Sequence, residues 1–506
     1  MMKVLLIAPY INLTYDRSID HVNREDFYPS AALIHLAAIL RANNFEVRIL
    51  DFNNSEVHSK NEKYLEFSKD EIIKSLNEFK PNLVGLNCLF SGSWPDVLEF
   101  AKLVKSYSKD LKIATGGIHP TTFPKEILEN CKEIDYVAIG EGENSIVALS
   151  SSIKQNKPEL LKEIKSFAFR DDSGVVHVNK LKNYVDDLGT LPMPAWDLID
   201  MNKFSMDLDH YYNPTETKIG KFKAAIFSSR ACPLACNFCD MFLVMGKKHR
   251  KRSIKAIIDE VELLHKEYGV NYFSFMDDQL TLNRAHTIEM CNEMINRNLK
   301  IIWDTPNGLW INSLREDVIA KMAEAGLARA SLAVEHGDDY IRNKVIGKIL
   351  ERKKVFEVAD LLKKYKIMTH GQFIMGFPEE THETLKDTYD MMDEIKVHRA
   401  TINTLIPFPG TKLFSQVIKD KDNLLIDKWN LDELWKTPIN MSSSGFVIKP
   451  YKMSIKELSE WREKLDRRGL KYWKYNPNVA SRKRYDDRLN NPDAKRVFHT
   501  YNPKIL

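Results

Sequence analysis

Between residues 222 and 406, six short apolar runs recur with amphipathic helical stretches between them, and this repeat constrains the fold more than any other feature of the chain. The strand candidates are 222–228, 270–276, 300–304, 328–335, 368–375 and 399–406. In the stretch after the first, Ser253 offers an N-cap, Ile257, Val261 and Leu264 share one face, and Gly269 supplies the stop. Six βα units predict a partial barrel. Polar or unusual residues follow the strands, at 230–239, Asp277-Asp278, 304–307, Glu335-His336-Gly337 and Gly376-Phe377-Pro378. In a parallel barrel that edge carries the active site.

A less regular series precedes it, with strand candidates at 4–8, 46–50, 83–86, 112–114 and 137–139 and helices at 31–43, 69–79 and 94–106. This pattern predicts a doubly wound α/β domain over residues 1–150. Periodicity fades over 151–220, where Leu191-Pro192-Met193-Pro194 cannot form a regular helix, so this stretch reads as a linker. The barrel takes 221–418. Residues 419–506 turn polar, aromatic and helical, with Trp429, Trp435, Trp461 and Trp473 and an irregular tail over 476–506, and show no chemistry of their own. The fold class is thus α/β, with a doubly wound (Rossmann-like) domain, a partial (βα)6 TIM-type barrel and a mostly helical C-terminal region.

Length and charge narrow the partners. A chain of 506 residues has room for about three domains. A net charge of +4 gives no global field to steer it towards nucleic acid or an anionic membrane. The basic run from Lys247 to Arg252 lacks interleaved aromatics and reads as a solvated loop, so no nucleic-acid partner is expected. The apolar run at 4–9 is too short for a secretory signal, and no stretch reaches the ~18 residues of a transmembrane helix. A cytoplasmic protein without a transmembrane segment is expected.

Cys232, Cys236 and Cys239 are the one dense group among six cysteines, too tight for a disulfide framework. Spacings of four and three let three thiolates converge from one loop on a single iron cube. A structural zinc site wants four ligands, but the next cysteine, Cys291, lies far downstream within an apparent helix. Three thiolates on a [4Fe-4S] cluster leave one iron open to a substrate-like ligand. Buried, unliganded cysteines would not need this triple.

The Cys-x-x-x-Cys-x-x-Cys loop, with Ser229-Arg230-Ala231-Cys232-Pro233, Phe275-Met276-Asp277-Asp278, Val334-Glu335-His336-Gly337, Met375-Gly376-Phe377-Pro378 and Pro407-Phe408-Pro409-Gly410-Thr411, resembles the radical S-adenosylmethionine superfamily. The branch it resembles carries an N-terminal cobalamin-binding domain and includes methyltransferases and anaerobic oxidative cyclases. The resemblance implies that Cys232, Cys236 and Cys239 ligate the cluster and that its open iron chelates S-adenosylmethionine. It places Phe238 on the adenine, Asp277 and Asp278 at the methionine ammonium, Glu335 at the ribose, and Gly376 in the same site. Phe238 could equally fill an apolar core and Glu335 be a solvated strand-end carboxylate, whereas two adjacent carboxylates are hard to bury without a cation. His370 and Gln372, two apart on the fifth strand candidate, either touch substrate or fill a polar layer.

In the first domain the resemblance rests on Tyr28-Pro29, the run 84–89, Gly116-Gly117-Ile118-His119-Pro120 and Gly140-Glu141-Gly142-Glu143, and it assigns Asn87, Leu89, Gly116 and Gly117 to cobalamin. A nucleotide-binding domain could use similar glycine-rich loops, but no G-x-G-x-x-G follows the first strand. Two departures stand out. The Asp-x-His-x-x-Gly motif is missing, since the chain reads Asp20-His21-Val22-Asn23, so cobalt should lack a histidine below it; and Asn87 stands where the family has the serine of Ser-x-Leu.

The reaction implied is methylation of an unactivated carbon of a small-molecule substrate, using methylcobalamin and a 5′-deoxyadenosyl radical, with electrons from a donor such as flavodoxin or ferredoxin. An oxidative cyclase or rearrangement enzyme of the same architecture is the alternative, and a corrinoid or iron-sulfur sensor is the non-enzyme one. Replacing Cys232, Cys236 and Cys239 together by Ala should abolish both cluster absorbance and reductive cleavage of S-adenosylmethionine in anaerobically reconstituted protein. Single replacements of Cys88, Cys131 or Cys291 should preserve both.

Overall fold

The computed structural model describes residues 2–11, 27–60, 63–179, 184–205, 213–215, 217, 219–426, 430–436 and 445–471. Asp20–Asn23, Trp429, Trp473 and the tail 476–506 lie outside the described residues. The chain divides into two compact units, one of Met1–Met206, Met241–Arg252 and Asn430–Met441, the other of Asp207–Asp240, Ser253–Trp429 and Ser442–Leu506.

The first unit is built on β1 (Lys3–Ala8), β2 (Glu46–Asp51), β3 (Leu83–Asn87), β4 (Lys112–Gly116), β5 (Tyr136–Ala138), β6 (Phe167–Arg170) and β7 (Val176–Asn179). They form one sheet in the order β2-β1-β3-β4-β5-β6-β7. The first five run parallel, and β1 reads as an unbroken apolar run because helices cover both its faces. Leu5 and Ile7 join one core with Val84, Trp94 and Phe100, while Val4 and Leu6 join the other with Leu33, Ala37 and Leu83. The chain turns in opposite directions from β1 and β3, which opens a crevice at their carboxyl ends, where doubly wound sheets bind ligands.

Two expectations need correcting here. The stretch 151–220 is not a plain linker: β6 pairs antiparallel with β5 and β7 with β6, and Trp196 is buried in the same unit. Four-residue strands are too short to show a period of two above the background of a loop. The basic run is not wholly solvated either, since Arg250 and Arg252 are buried while Lys247, Lys248 and Lys251 are exposed. Arg250 makes a bidentate pair with Glu141, Nη1 to Oε2 and Nη2 to Oε1 at 2.8 Å each. It also donates to the carbonyls of Val185 and Met245 at 2.7 Å, and Glu141 Oε2 accepts the Val185 N–H at 2.7 Å. Glu141 lies more than a hundred residues upstream, so no local reading of the run could find it.

The second unit holds β8 (Lys223–Ile226), β9 (Tyr272–Phe275), β10 (Ile302–Leu309), β11 (Leu327–Glu335), β12 (Met368–Met375) and β13 (Arg399–Thr404). All pair in parallel with their neighbours in chain order, and the outer two do not pair with each other, which makes a partial barrel. The helix Ile254–Tyr268 follows its sequence signals: Ser253 Oγ accepts the Ala256 N–H, Ile257, Val261 and Leu264 are buried, and Gly269 closes it at φ +68°. The third strand runs on to Leu309, beyond the expected end at 304, through a register shift between Thr305 and Leu309. The helix Ile455–Lys471 packs on β13 so closely that a Cβ on Gly469 would lie 2.4 Å from the Ala400 carbonyl oxygen. The C-terminal region thus covers the last strand instead of standing apart.

Arg250→Met removes the guanidinium from the buried Glu141 carboxylate and should cost about 3–5 kcal/mol in urea denaturation. Lys248→Met, on an exposed side chain of the same run, should stay within about 0.5 kcal/mol.

Candidate active site

Cys232, Cys236 and Cys239 lie partly exposed on the loop after β8, and none forms a disulfide. The other three cysteines are buried, and burial pushes the Cys131 and Cys291 thiols up to about 12. Burial also raises Cys232, and takes Cys236 to about 11, so a strong cation is needed to hold either as thiolate. Among the described residues, no three His, Cys, Asp or Glu side chains gather around one metal-ion position. A four-iron cube makes a different demand: each thiolate takes its own iron, so the sulfurs stand apart, and three thiols on one loop fit it.

The loop is pinned from several sides. Asn237, between the second and third cysteines, donates its N–H to the Ile346 carbonyl at 2.9 Å and its side-chain amide to Val345, and its own carbonyl accepts the Leu413 N–H at 3.0 Å. Val345 ends a single turn of π-helix, Ile341–Val345, a feature frequent at functional sites. Phe238, partly buried, packs against the cluster of Ile341, Ile346, Phe377 and Leu405. Nothing in the local spacing pointed to Asn237 or the π-turn, because their partners are distant in sequence.

Asp277 and Asp278 are adjacent but differ in surroundings. Asp277 is buried, and its carboxylate accepts from Ser228 N–H at 3.1 Å, Ser228 Oγ at 2.6 Å and Ser229 Oγ at 2.5 Å. Burial pushes its carboxyl up and these donors pull it back. The burial expected to need a cation is supported here by hydroxyl and amide donors, which tie β9 to the start of the cysteine loop. Asp278 is half-buried, and its charge is felt at the Cys232 thiol.

Glu335 is neither solvated nor open. It ends β11 at φ +70°, is buried, and accepts from Lys348 Nζ at 2.5 Å. Gly376, at φ +100°, directly follows β12, and its N–H donates to Glu380 Oε2. The other Glu380 oxygen accepts from His336 Nε2 at 2.9 Å. His336 Nδ1 accepts the Asp338 N–H, so the neutral ring keeps its proton on Nε2. This fully buried pair joins the ends of β11 and β12. His370 is half-buried with Nε2 2.9 Å from Thr401 Oγ1, and Gln372 donates to the Pro306 carbonyl at 3.0 Å, so both have polar partners on other strands of the barrel. Burial holds His370 well below the usual histidine range.

In the first unit, the ends of β3 and β4 bring Asn87, Leu89, Gly116 and Gly117 to one edge. Cys88 N–H donates to the Gly116 carbonyl at 2.8 Å. Gly117 has φ +116°, and a Cβ there would lie 2.1 Å from the Cys88 carbonyl oxygen, so only glycine fits. Leu89 is 44% exposed, an apolar side chain left open beside them. His119, in the same glycine run, is buried instead: its ring lies 4.8 Å from that of Trp94 and 5.1 Å from that of Phe123. Its Nε2 is 2.8 Å from the Trp435 carbonyl, and burial lowers its pKa to about 4.

A parallel βα sheet with a three-cysteine loop after its first strand shares the chain with a doubly wound sheet that holds a forced Gly-Gly turn. A B12 binding domain model matches residues 19–150 and a radical SAM superfamily model matches residues 226–392. The chain thus carries a B12-binding domain followed by a radical SAM domain.

An uncharacterized methyltransferase of Pyrococcus horikoshii is 28% identical over 84% of this chain and 85% of its own. The cytidylyl-2-hydroxyethylphosphonate methyltransferase of Streptomyces wedmorensis is 27% identical over 82% of each. The anaerobic magnesium-protoporphyrin IX monomethyl ester cyclase of Rubrivivax gelatinosus is 25% identical over 80% of this chain and 69% of its own. Among solved structures, the radical S-adenosylmethionine methyltransferase TsrM of Kitasatospora setae, with cobalamin and a [4Fe-4S] cluster bound, superposes with a TM-score of 0.69 over 92% of this chain and 89% of that one. At 16% identity this likeness is one of fold. No helix among the described residues is long and apolar enough to cross a membrane.

His119 gives this unit a pH signature. Its folded pKa of about 4 lies below the unfolded ~6.5, so folding excludes a proton. Stability is full above pH ~6.5 and should fall by about 3 kcal/mol as the pH drops towards 4. Denaturant titrations across that range should show the slope, and His119→Gln should flatten it.

Proposed function

We propose that this protein transfers a methyl group from S-adenosylmethionine, by way of a corrinoid, to an unactivated carbon of a small-molecule substrate. The observation that carries the proposal is the pairing, within one chain, of a three-thiol loop lacking a fourth cysteine with a sheet edge that only glycine at 117 can form. Cys232, Cys236 and Cys239 would hold the cluster. Asp278, half-buried and with its charge felt at Cys232, would meet the methionine ammonium, with Asp277 positioning the loop. Phe238 and Gly376 line the same strand edge, and Glu335 joins them with one oxygen on Lys348. Asn87, Leu89, Gly116 and Gly117 would receive the corrinoid, with no axial histidine from the buried, Trp435-bonded His119. When bound, the cluster and S-adenosylmethionine supply a hydrogen-abstracting deoxyadenosyl radical and the corrinoid a methyl group. The electron would come from a low-potential donor of the flavodoxin or ferredoxin kind, in the cytoplasm.

The cyclase-named relative supports a second reading, in which the same radical leads to ring closure or rearrangement. Anaerobic, reduced protein supplied with cobalamin, methyl-labelled S-adenosylmethionine and small-molecule fractions from the source cells separates the two. Methyl transfer predicts S-adenosylhomocysteine and deoxyadenosine formed together, with label in the product. Deoxyadenosine with an unlabelled, dehydrogenated or rearranged product would establish the cyclase reading instead.

A further inference from the structure

Lys348 places an ammonium inside the protein beside the cysteine loop, and the backbone accepts unusual conformations around it. Its side chain is 5% exposed and its Nζ lies 2.5 Å from Glu335 Oε1. Glu335 itself sits at φ +70°. Ile349, directly after Lys348, sits at φ +53° and is 78% exposed. A β-branched residue in the left-handed region is a genuine outlier, and such strain persists where the surrounding structure over-determines it. The carbonyls of Val345 and Ile346 are both held by Asn237, which stands between Cys236 and Cys239, so Lys348 follows two residues after an anchor on the cysteine loop itself.

We propose that Lys348 sets the reduction potential of the cluster held by Cys232, Cys236 and Cys239, with Glu335 as the counter-charge that fixes the ammonium and moderates its effect. The inference rests on the cluster assignment made above. Reduction adds one electron, from a low-potential one-electron donor, and no proton, so the site gains a unit of negative charge in a partly buried loop. A fixed cation nearby stabilises that added charge, and a fixed anion opposes it. Lys348 lies on the segment anchored to Asn237 of the cysteine loop, and Glu335 holds its ammonium there as the counter-charge. Lys348 is thus a tuning residue that acts through the cluster and need not touch substrate.

The test is a redox titration of the anaerobically reconstituted full chain, followed by electron paramagnetic resonance of the reduced cluster, without S-adenosylmethionine. Lys348→Met should lower the midpoint potential, by about 59 mV for each tenfold loss in the reduced-to-oxidised ratio. Glu335→Gln should raise it, and Lys348→Arg should stay near the parent value. Opposite signs at two partners of one ion pair are the signature, because a merely structural loss at either would disturb the site in the same sense. If Lys348→Met holds no iron, the upward shift of Glu335→Gln still decides the matter. Equal potentials in all variants, or shifts of one sign, with iron and sulfide content intact, would overturn the proposal while leaving the cluster assignment standing. A parent protein that holds no cluster would overturn the assignment itself.

Discussion

The arrangement of the catalytic unit depends on one buried carboxylate. Asp277 follows β9 and receives a backbone N–H and two hydroxyls from Ser228 and Ser229, which open the loop after β8. A carboxylate removed from water must find donors, and each donor supplied by the neighbouring strand end fixes that end relative to its own. The cysteines begin three residues beyond Ser229, so the start of their loop inherits this placement. Asn237 and Leu413 then fix its far side through backbone hydrogen bonds, which leaves the thiols little freedom before any cluster is present.

The same device recurs wherever the chain must join distant segments. Glu141 and Arg250 join a strand-end loop of the first unit to a segment that comes after the cysteines. His336 and Glu380 join the ends of β11 and β12, and Glu335 and Lys348 join β11 to the loop beyond the π-turn. Each is a buried ionisable pair whose separate members would be costly to bury, so each specifies one arrangement. The apolar cores carry the burial, and these pairs carry the register of the loops between them.

Much of the architecture was legible in the chain itself. The six strands of the barrel, the helix capped by Ser253 and closed by Gly269, and the five parallel strands of the first sheet all follow from periodicity and punctuation, which are local properties. The short antiparallel pair β6 and β7 did not show, since four residues each give too few alternations. The solvated reading of Arg250 failed for a related reason, which also hid the serine donors of Asp277. Whether a charged side chain faces water, a ligand or a buried partner depends on residues far along the chain, and the partners here are Glu141 and the two serines.

By itself the sequence determined the class of fold, the two domains and the cysteine triple, because strand and helix periods and an eight-residue cysteine loop are written in contiguous residues. Only the tertiary structure decided which carboxylate holds the loop and which stays half-open, that the ribose candidate Glu335 carries a lysine, and that His119 is a packed neutral ring bonded to Trp435. Those outcomes are set by desolvation and by the donors brought within hydrogen-bond reach, and both arise only once strands distant in sequence lie side by side.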